Sequence, residues 1–295
     1  MLSVQRKGGA SVFDRVMAYG RMIKFSHSIF ALPFAFSAVA LAALETPLTP
    51  DVIVWIAVAM VGARSAAMGF NRLVDRRIDA ENPRTAGREL PTGVISPVAV
   101  RVLVVLSSIV LIAASYQLNR LCFVLSPVAL LIVFFYSYTK RFTWSTQLFL
   151  GLALSVAPIG GWIAVTGHLS PKILLLGGAV LFWVAGFDII YATQDEAFDR
   201  SFGVYSIPQR FGISKSLWIA RALHAIAFGL MLAAGRAFGL GSIYFVGVFV
   251  IGGLLVYEHR LVGPADLSKA AMAFMNLNAT ISCVFFAFTL ADILF

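Results

Sequence analysis

The sequence predicts an all-α polytopic membrane protein, with nine transmembrane helices around a central cavity, arranged as two four-helix halves plus one helix. Three observations predict it. The chain of 295 residues is 60% hydrophobic and 13% charged, whereas soluble domains carry about 25% charged residues. Its apolar residues gather into runs close to the roughly 20 residues that a helix needs to cross the hydrocarbon. Two acid clusters of one shape stand at the ends of two such runs: Asn71, Asp75 and Asp79, then Asp188, Tyr191, Asp195 and Asp199.

The spans fall at residues 26–44, 52–74, 98–117, 121–138, 147–166, 172–194, 215–235, 240–257 and 272–294, numbered here span 1 to span 9. Turn formers separate them: Thr46-Pro47 and Pro50, Pro91-Thr92-Gly93, Gly167, Pro171, Gly212, Gly239-Leu240-Gly241 and Gly263-Pro264. Glycine and proline punctuate helices because one adopts left-handed backbone freely and the other cannot donate an amide proton. The chain reads as one membrane-embedded domain over 1–295, with 1–25 as a cytoplasmic N-terminal segment. That segment is basic, mostly polar and leads into a span, so no cleavable signal peptide is expected.

Charge sets the expected orientation. Lys and Arg in the N-terminal segment and in the connections after spans 2, 4, 6 and 8 number seventeen, against Arg120, Lys172 and Arg236 in the alternate connections. Positive residues favour the cytoplasmic side, which places the N-terminus and both acid clusters there, in a bacterial inner membrane. The net charge of +9 does not indicate nucleic-acid binding, because the positives sit in short connections and form no contiguous soluble patch. Cys122 and Cys283 lie in apolar runs without CxxC spacing and read as small hydrophobes.

Eight of the fourteen acidic residues lie in two windows, 75–89 and 188–199. Carboxylates beside a bilayer are costly unless a cation needs them, so intramembrane acids mark function. Helical steps of four residues turn by about 40° and rise about 6 Å, which puts each cluster on one helix face. The clusters are four spans apart and each precedes a long polar connection (76–97 and 196–214), which suggests related halves with a site between them. Two opposed rows offer oxygen ligands only, the donor set of Mg²⁺, and no histidine that would suit zinc or copper. Arg72, Arg76, Arg84, Arg88, Lys140 and Arg200 surround the same mouth. Acids with arginines form the usual kit for a diphosphate: metal between carboxylate and phosphate, guanidinium forks on the remaining oxygens. For Arg76, Arg77 and Glu81, an ordinary solvated interface with local ion pairs is the simpler reading. Arg64 stands about 10 Å deeper in span 2 and needs an anionic partner, either a structural acid or a substrate carboxylate.

These residues resemble the UbiA superfamily of intramembrane aromatic prenyltransferases. The resemblance runs through N-R-L-V-D-R-R-I-D, N-P-R-T-A-G-R-E-L-P-T-G-V-I-S (82–96), D-I-I-Y-A-T-Q-D-E-A-F-D and G-V-Y-S-I-P-Q-R-F-G (203–212). It implies Mg²⁺ held by Asp75, Asp79, Asp188, Asp195 and Asp199, with a polyprenyl diphosphate in a lipid-accessible cavity. It implies diphosphate contacts at Arg88 and Lys140, acceptor-carboxylate recognition at Arg64, and Asn71 and Tyr191 as motif residues; Lys24 joins this substrate-binding set. Asp75, Asp79, Asp188 and Asp195 are the expected catalytic aspartates. Within the superfamily the chain looks closest to 4-hydroxybenzoate polyprenyltransferases, which transfer a polyprenyl group ortho to the phenol of an aromatic acid and release diphosphate, in quinone biosynthesis. One departure matters: His27-Ser28 replaces the Lys-Pro that many of those have at the start of span 1. That variant looks like a bacterial subgroup acting on 1,4-dihydroxy-6-naphthoate for menaquinone. The partners implied are these substrates and the bilayer, with no nucleic acid and no obligate protein partner. A secondary transporter is the rival class, since it too places charges between helical repeats, but near the midplane.

Overall fold

The computed structural model describes residues 12–24, 28 and 30–295. His27, on which the acceptor variant turns, lies outside the described residues. Among the described residues the secondary structure is helical, apart from one isolated bridge between Gly263 and Asp266.

Among the described residues, eight helices are long and apolar enough to cross a membrane. Spans 2 to 5 are Pro50–Glu81, Pro97–Leu118, Arg120–Thr139 and Thr146–Thr166; span 6 is Pro171–Ala192, with its apolar stretch running on to Phe202; spans 7 to 9 are Ile213–Phe238, Ser242–Leu261 and Ala270–Leu294. The expected count of nine is not confirmed, since span 1 falls partly on residues outside the described set. At span 1 the described helix is Leu32–Ala42, 11 residues, about 16 Å at 1.5 Å per residue.

The turn formers act where the sequence places them. Pro50, Pro97 and Pro171 open helices, where a missing amide proton costs nothing. Ser96, Asn119 and Ser170 accept backbone N–H groups of the first turns of spans 3, 4 and 6, replacing bonds that a helix start cannot make internally. Gly167 and Gly239 end spans 5 and 7 with φ of 72° and 71°, a backbone region that side-chain-bearing residues rarely enter.

Two boundaries shift in a way that matters. Span 2 continues to Glu81 as one 32-residue helix, so the whole first acid cluster is helical. Span 6 stops at Ala192, passes through a 3₁₀ turn at Thr193–Asp195 and resumes as Glu196–Phe202. The second cluster is therefore split across a bend.

Packing joins span 2 to span 3, span 6 to spans 5 and 7, and the Leu32–Ala42 helix to spans 5 and 9. Span 5 also touches span 4, which connects the two halves. Spans 5 and 6 approach closely at Gly151, where a Cβ would stand 2.2 Å from the Leu181 carbonyl oxygen. The main core, with Phe34, Trp162, Trp183, Phe187 and Phe285 buried, lies among spans 5 to 9 and the Leu32–Ala42 helix. Span 3 instead exposes Val98, Val102, Val105, Leu106 and Ile109 along its outer side. Such an apolar exterior suits lipid, and the helical backbone satisfies its own polar groups as the bilayer demands.

Candidate active site

Span 2 delivers Asn71, Asp75 and Asp79 to one face. Asn71 donates to Asp75 at 2.8 Å, so the amide orients the carboxylate one turn along. Asp75 and Asp79 are 1% and 4% exposed, and cations meet both. Lys140, at the end of span 4, lies 2.6 Å from Asp75, and Arg141 contributes a second contact at 3.2 Å. Arg88 reaches Asp79 at 2.7 Å, and Arg72 stands 3.8 Å from its other oxygen. Asp79 Oδ2 is buried with no hydrogen-bond donor among the described residues. Stripping one partner from such a buried pair typically costs about 3–5 kcal/mol.

The second cluster is built differently. Asp188 has no hydrogen bond or ion pair among the described residues; Lys140 and Arg84 act on it through space. Tyr191 and Asp195 meet Arg84, which reaches them from the connection after span 2. The Arg84 guanidinium donates to the Tyr191 hydroxyl at 2.6 Å and, through Nε, to Asp195 at 2.9 Å, with a second contact from Nη2. Its plane also lies 4.9 Å from the Tyr191 ring centre. Asn82 donates to Asp195 at 3.1 Å. Asp199 accepts from Ser206 at 2.8 Å. The two clusters therefore face one another across a bridge made by residues 82–84. Lys140 lies between them, paired with Asp75 and felt by Asp188 and Asp199.

The two aspartate rows and the cations expected around them are thus brought together. Arg64 has no acidic partner: it donates to the Lys24 carbonyl at 2.8 Å, and its buried Nε has no acceptor among the described residues. Lys24 sits with φ of 53° near Arg72, Arg84 and Arg88; burial first, then their repulsion, holds its ammonium pKa below the ordinary lysine range. Arg72 likewise donates to the Met22 carbonyl, so residues 22–24 are tied to span 2 by two buried arginines. Among the described residues no three His, Cys, Asp or Glu side chains converge as a metal cage, because Asp75, Asp79 and Asp195 are each turned toward a cation. The donor chemistry still fits Mg²⁺, which prefers one or two carboxylates plus water and phosphate oxygens to an all-protein cage. The orphaned Asp79 oxygen is a ligand atom of the right kind.

Arg76 and Arg77 are exposed, as the simpler reading of them expected. Arg141, Asn82 and the bridging reach of Arg84 were not singled out from sequence. The signal for Arg84 was present, since it lies in the N-P-R-T segment next to Asn82.

Comparison with known proteins agrees with this geometry. The UbiA prenyltransferase family matches residues 31–280. A 4-hydroxybenzoate octaprenyltransferase from Vibrio atlanticus is 32% identical over 228 residues, covering 77% of this chain and 80% of that one. The apo structure of a UbiA homolog from Aeropyrum pernix superposes with a TM-score of 0.82 at 35% identity, over 90% of this chain and 98% of that one. A UbiA homolog from Archaeoglobus fulgidus, solved bound to GPP and Mg²⁺, shares the fold with a TM-score of 0.69 at 20% identity, over 94% of this chain and all of that one. A buried double row of aspartates bridged by basic residues, in a helical membrane protein of this topology, accords with that match: the chain belongs to the UbiA prenyltransferase family.

Proposed function

We propose that this protein transfers a polyprenyl group from polyprenyl diphosphate to the ring of 4-hydroxybenzoate, ortho to the phenol, with release of diphosphate, in quinone biosynthesis. The observation that carries the reading is the meeting of the two aspartate rows across Arg84 and Lys140, supported by the names of the relatives. The site opens on the cytoplasmic side of a bacterial inner membrane, as the distribution of Lys and Arg supports.

Asp75 and Asp79 from span 2, with Asp188, Asp195 and Asp199 from the far side, would hold Mg²⁺. Bound there, the metal supplies charge neutralisation to a leaving diphosphate. Lys140, Arg88 and Arg84 each grip a carboxylate in the structure. Once that carboxylate turns to a cation, the same basic group is free to take a phosphate oxygen. Rigid donors aimed at developing negative charge are usually the largest catalytic contribution. Loss of diphosphate leaves an allylic cation; the ring carbon attacks it, forming the C–C bond. The ring proton then leaves to a nearby base, and Asp188, free of ion pairs, is placed for that. Arg64 would hold the acceptor carboxylate through its unpartnered Nε. Phe and Leu side chains around the site exclude water, which would otherwise trap the cation.

Membranes or purified protein supplied with a polyprenyl diphosphate should prenylate 4-hydroxybenzoate. 1,4-Dihydroxy-6-naphthoate, the acceptor that His27-Ser28 suggests, serves as the competitor in the same assay. A product formed from the naphthoate in its place would reassign the acceptor; transport of either compound without diphosphate release would reassign the class.

A further inference from the structure

Span 9 carries a feature that the acid motifs do not account for. Its helix begins as Ala270–Met272, passes through a π-turn at Ala273–Leu277 and only then becomes the regular helix Asn278–Leu294. Such turns carry an extra residue at a local cost and concentrate at functional sites. Asn278 holds this one. It is fully buried, and its amide nitrogen donates to Glu258 at 2.8 Å and lies 3.3–3.4 Å from the Phe274 and Ala273 carbonyl oxygens of the π-turn. Its oxygen accepts from Trp183 Nε1 at 3.0 Å. Asn278 therefore ties spans 8, 9 and 6 at a single side chain. Glu258 is buried in this apolar setting, where an unpaired polar group is expensive.

The outcome of this clamp is the placement of Phe274. Its ring stacks on Tyr191 at 4.3 Å, 29° from parallel, and meets Phe187 and Phe30 edge-on at 5.4 and 5.2 Å. Tyr191 is the residue that Arg84 grips while it bridges to Asp195.

We propose that Phe274, presented by the π-turn and held by Asn278, is a positioning residue of the reaction: it fixes Tyr191, and through Tyr191 the Arg84 that joins the two aspartate rows. Span 9 thereby contributes to the diphosphate end of the site without, among the described residues, contacting either aspartate row. The inference rests on the diphosphate reading given above.

Phe274→Leu keeps the apolar bulk and removes the stack. It should raise KM for the prenyl diphosphate roughly threefold to tenfold, the scale of one lost aromatic pair, with KM for the aromatic acid unchanged. Tyr191→Leu should give a comparable rise, and the double variant no more than the larger single effect, because Phe274 acts through Tyr191. Phe274→Tyr, which retains a stacking ring, should restore wild-type KM. Asn278→Ala should move the same KM, and its melting temperature, followed in parallel, reports any loss of fold. Additive effects of Phe274→Leu and Tyr191→Leu, or an equal rise in both Michaelis constants, would overturn the proposal. A wild-type protein that releases no diphosphate would instead defeat the underlying reading, and direct binding of Mg²⁺ with inorganic diphosphate still compares the variants.

Discussion

The two aspartate rows share spacing and differ in construction. The first lies on one uninterrupted helix, Pro50–Glu81, and its acids are buried against Lys140, Arg141, Arg88 and Arg72. The second is broken by a 3₁₀ turn, and its bridging cation, Arg84, comes from the other half of the chain. A straight helix fixes the direction of every side chain along it, so the first row is a rigid array whose charge is already balanced. A bent segment aims Asp188 and Asp195 independently, and among the described residues Asp188 has no paired cation. The comparison teaches that one spacing can be built in two ways: a row whose carboxylates each meet cations, and a row split by a bend and bridged by an arginine from the connection after span 2.

Breaking either row should have the largest effect. Asp75→Ala and Asp195→Ala should each lower transfer at least about a hundredfold, the scale of losing several kcal/mol of charge stabilisation. Measured by product formation in matched membranes, near wild-type turnover by either variant would dissolve the comparison. The rows should separate in stability: the Asp75 carboxylate is almost wholly buried and meets Lys140 and Arg141, whereas Asp195 is less buried and meets Arg84, so Asp75→Ala should lower the melting temperature clearly more than Asp195→Ala. Equal melting temperatures would argue against a pre-balanced first row.

Arg84→Ala should have a smaller effect, about tenfold on kcat/KM for the prenyl diphosphate, the scale of one or two charge-assisted hydrogen bonds. Arg64→Ala should act on the other substrate, raising KM for the aromatic acid well beyond that for the diphosphate; a matched rise in both would count against a carboxylate contact. The smallest functional effect belongs to Gly151→Ala. A Cβ there meets the Leu181 carbonyl, so stability should fall by about 1–3 kcal/mol while the Michaelis constants stay put, as melting curves beside steady-state kinetics would show.

Much of this was legible in the sequence, because membrane chemistry writes in a small alphabet. Apolar runs located the helices, and aspartates at four-residue spacing stood out where charge is rare. The prolines at 50 and 171 marked helix starts that the structure keeps. The bounds of the Leu32–Ala42 helix were not legible, since hydropathy over 26–44 does not mark where a helix begins. Nor was the bend at Thr193, whose residues have no strong aversion to continuing a helix. The Arg84 bridge spans 111 positions to Asp195, and no local pattern reports so distant a contact. Asn278 and Glu258 escaped notice for a related reason: single polar residues in apolar helices carry no signature until their partners are known.

The most direct measurement is binding of labelled geranyl diphosphate to the purified protein, with Mg²⁺ or with excess EDTA, in wild type, Asp75→Ala and Asp195→Ala. Two rows serving one metal–diphosphate site require that chelation, or loss of either aspartate, remove binding to a similar extent. Retention of wild-type affinity in EDTA, or in one of the two variants, would show that the rows do not act as a single site.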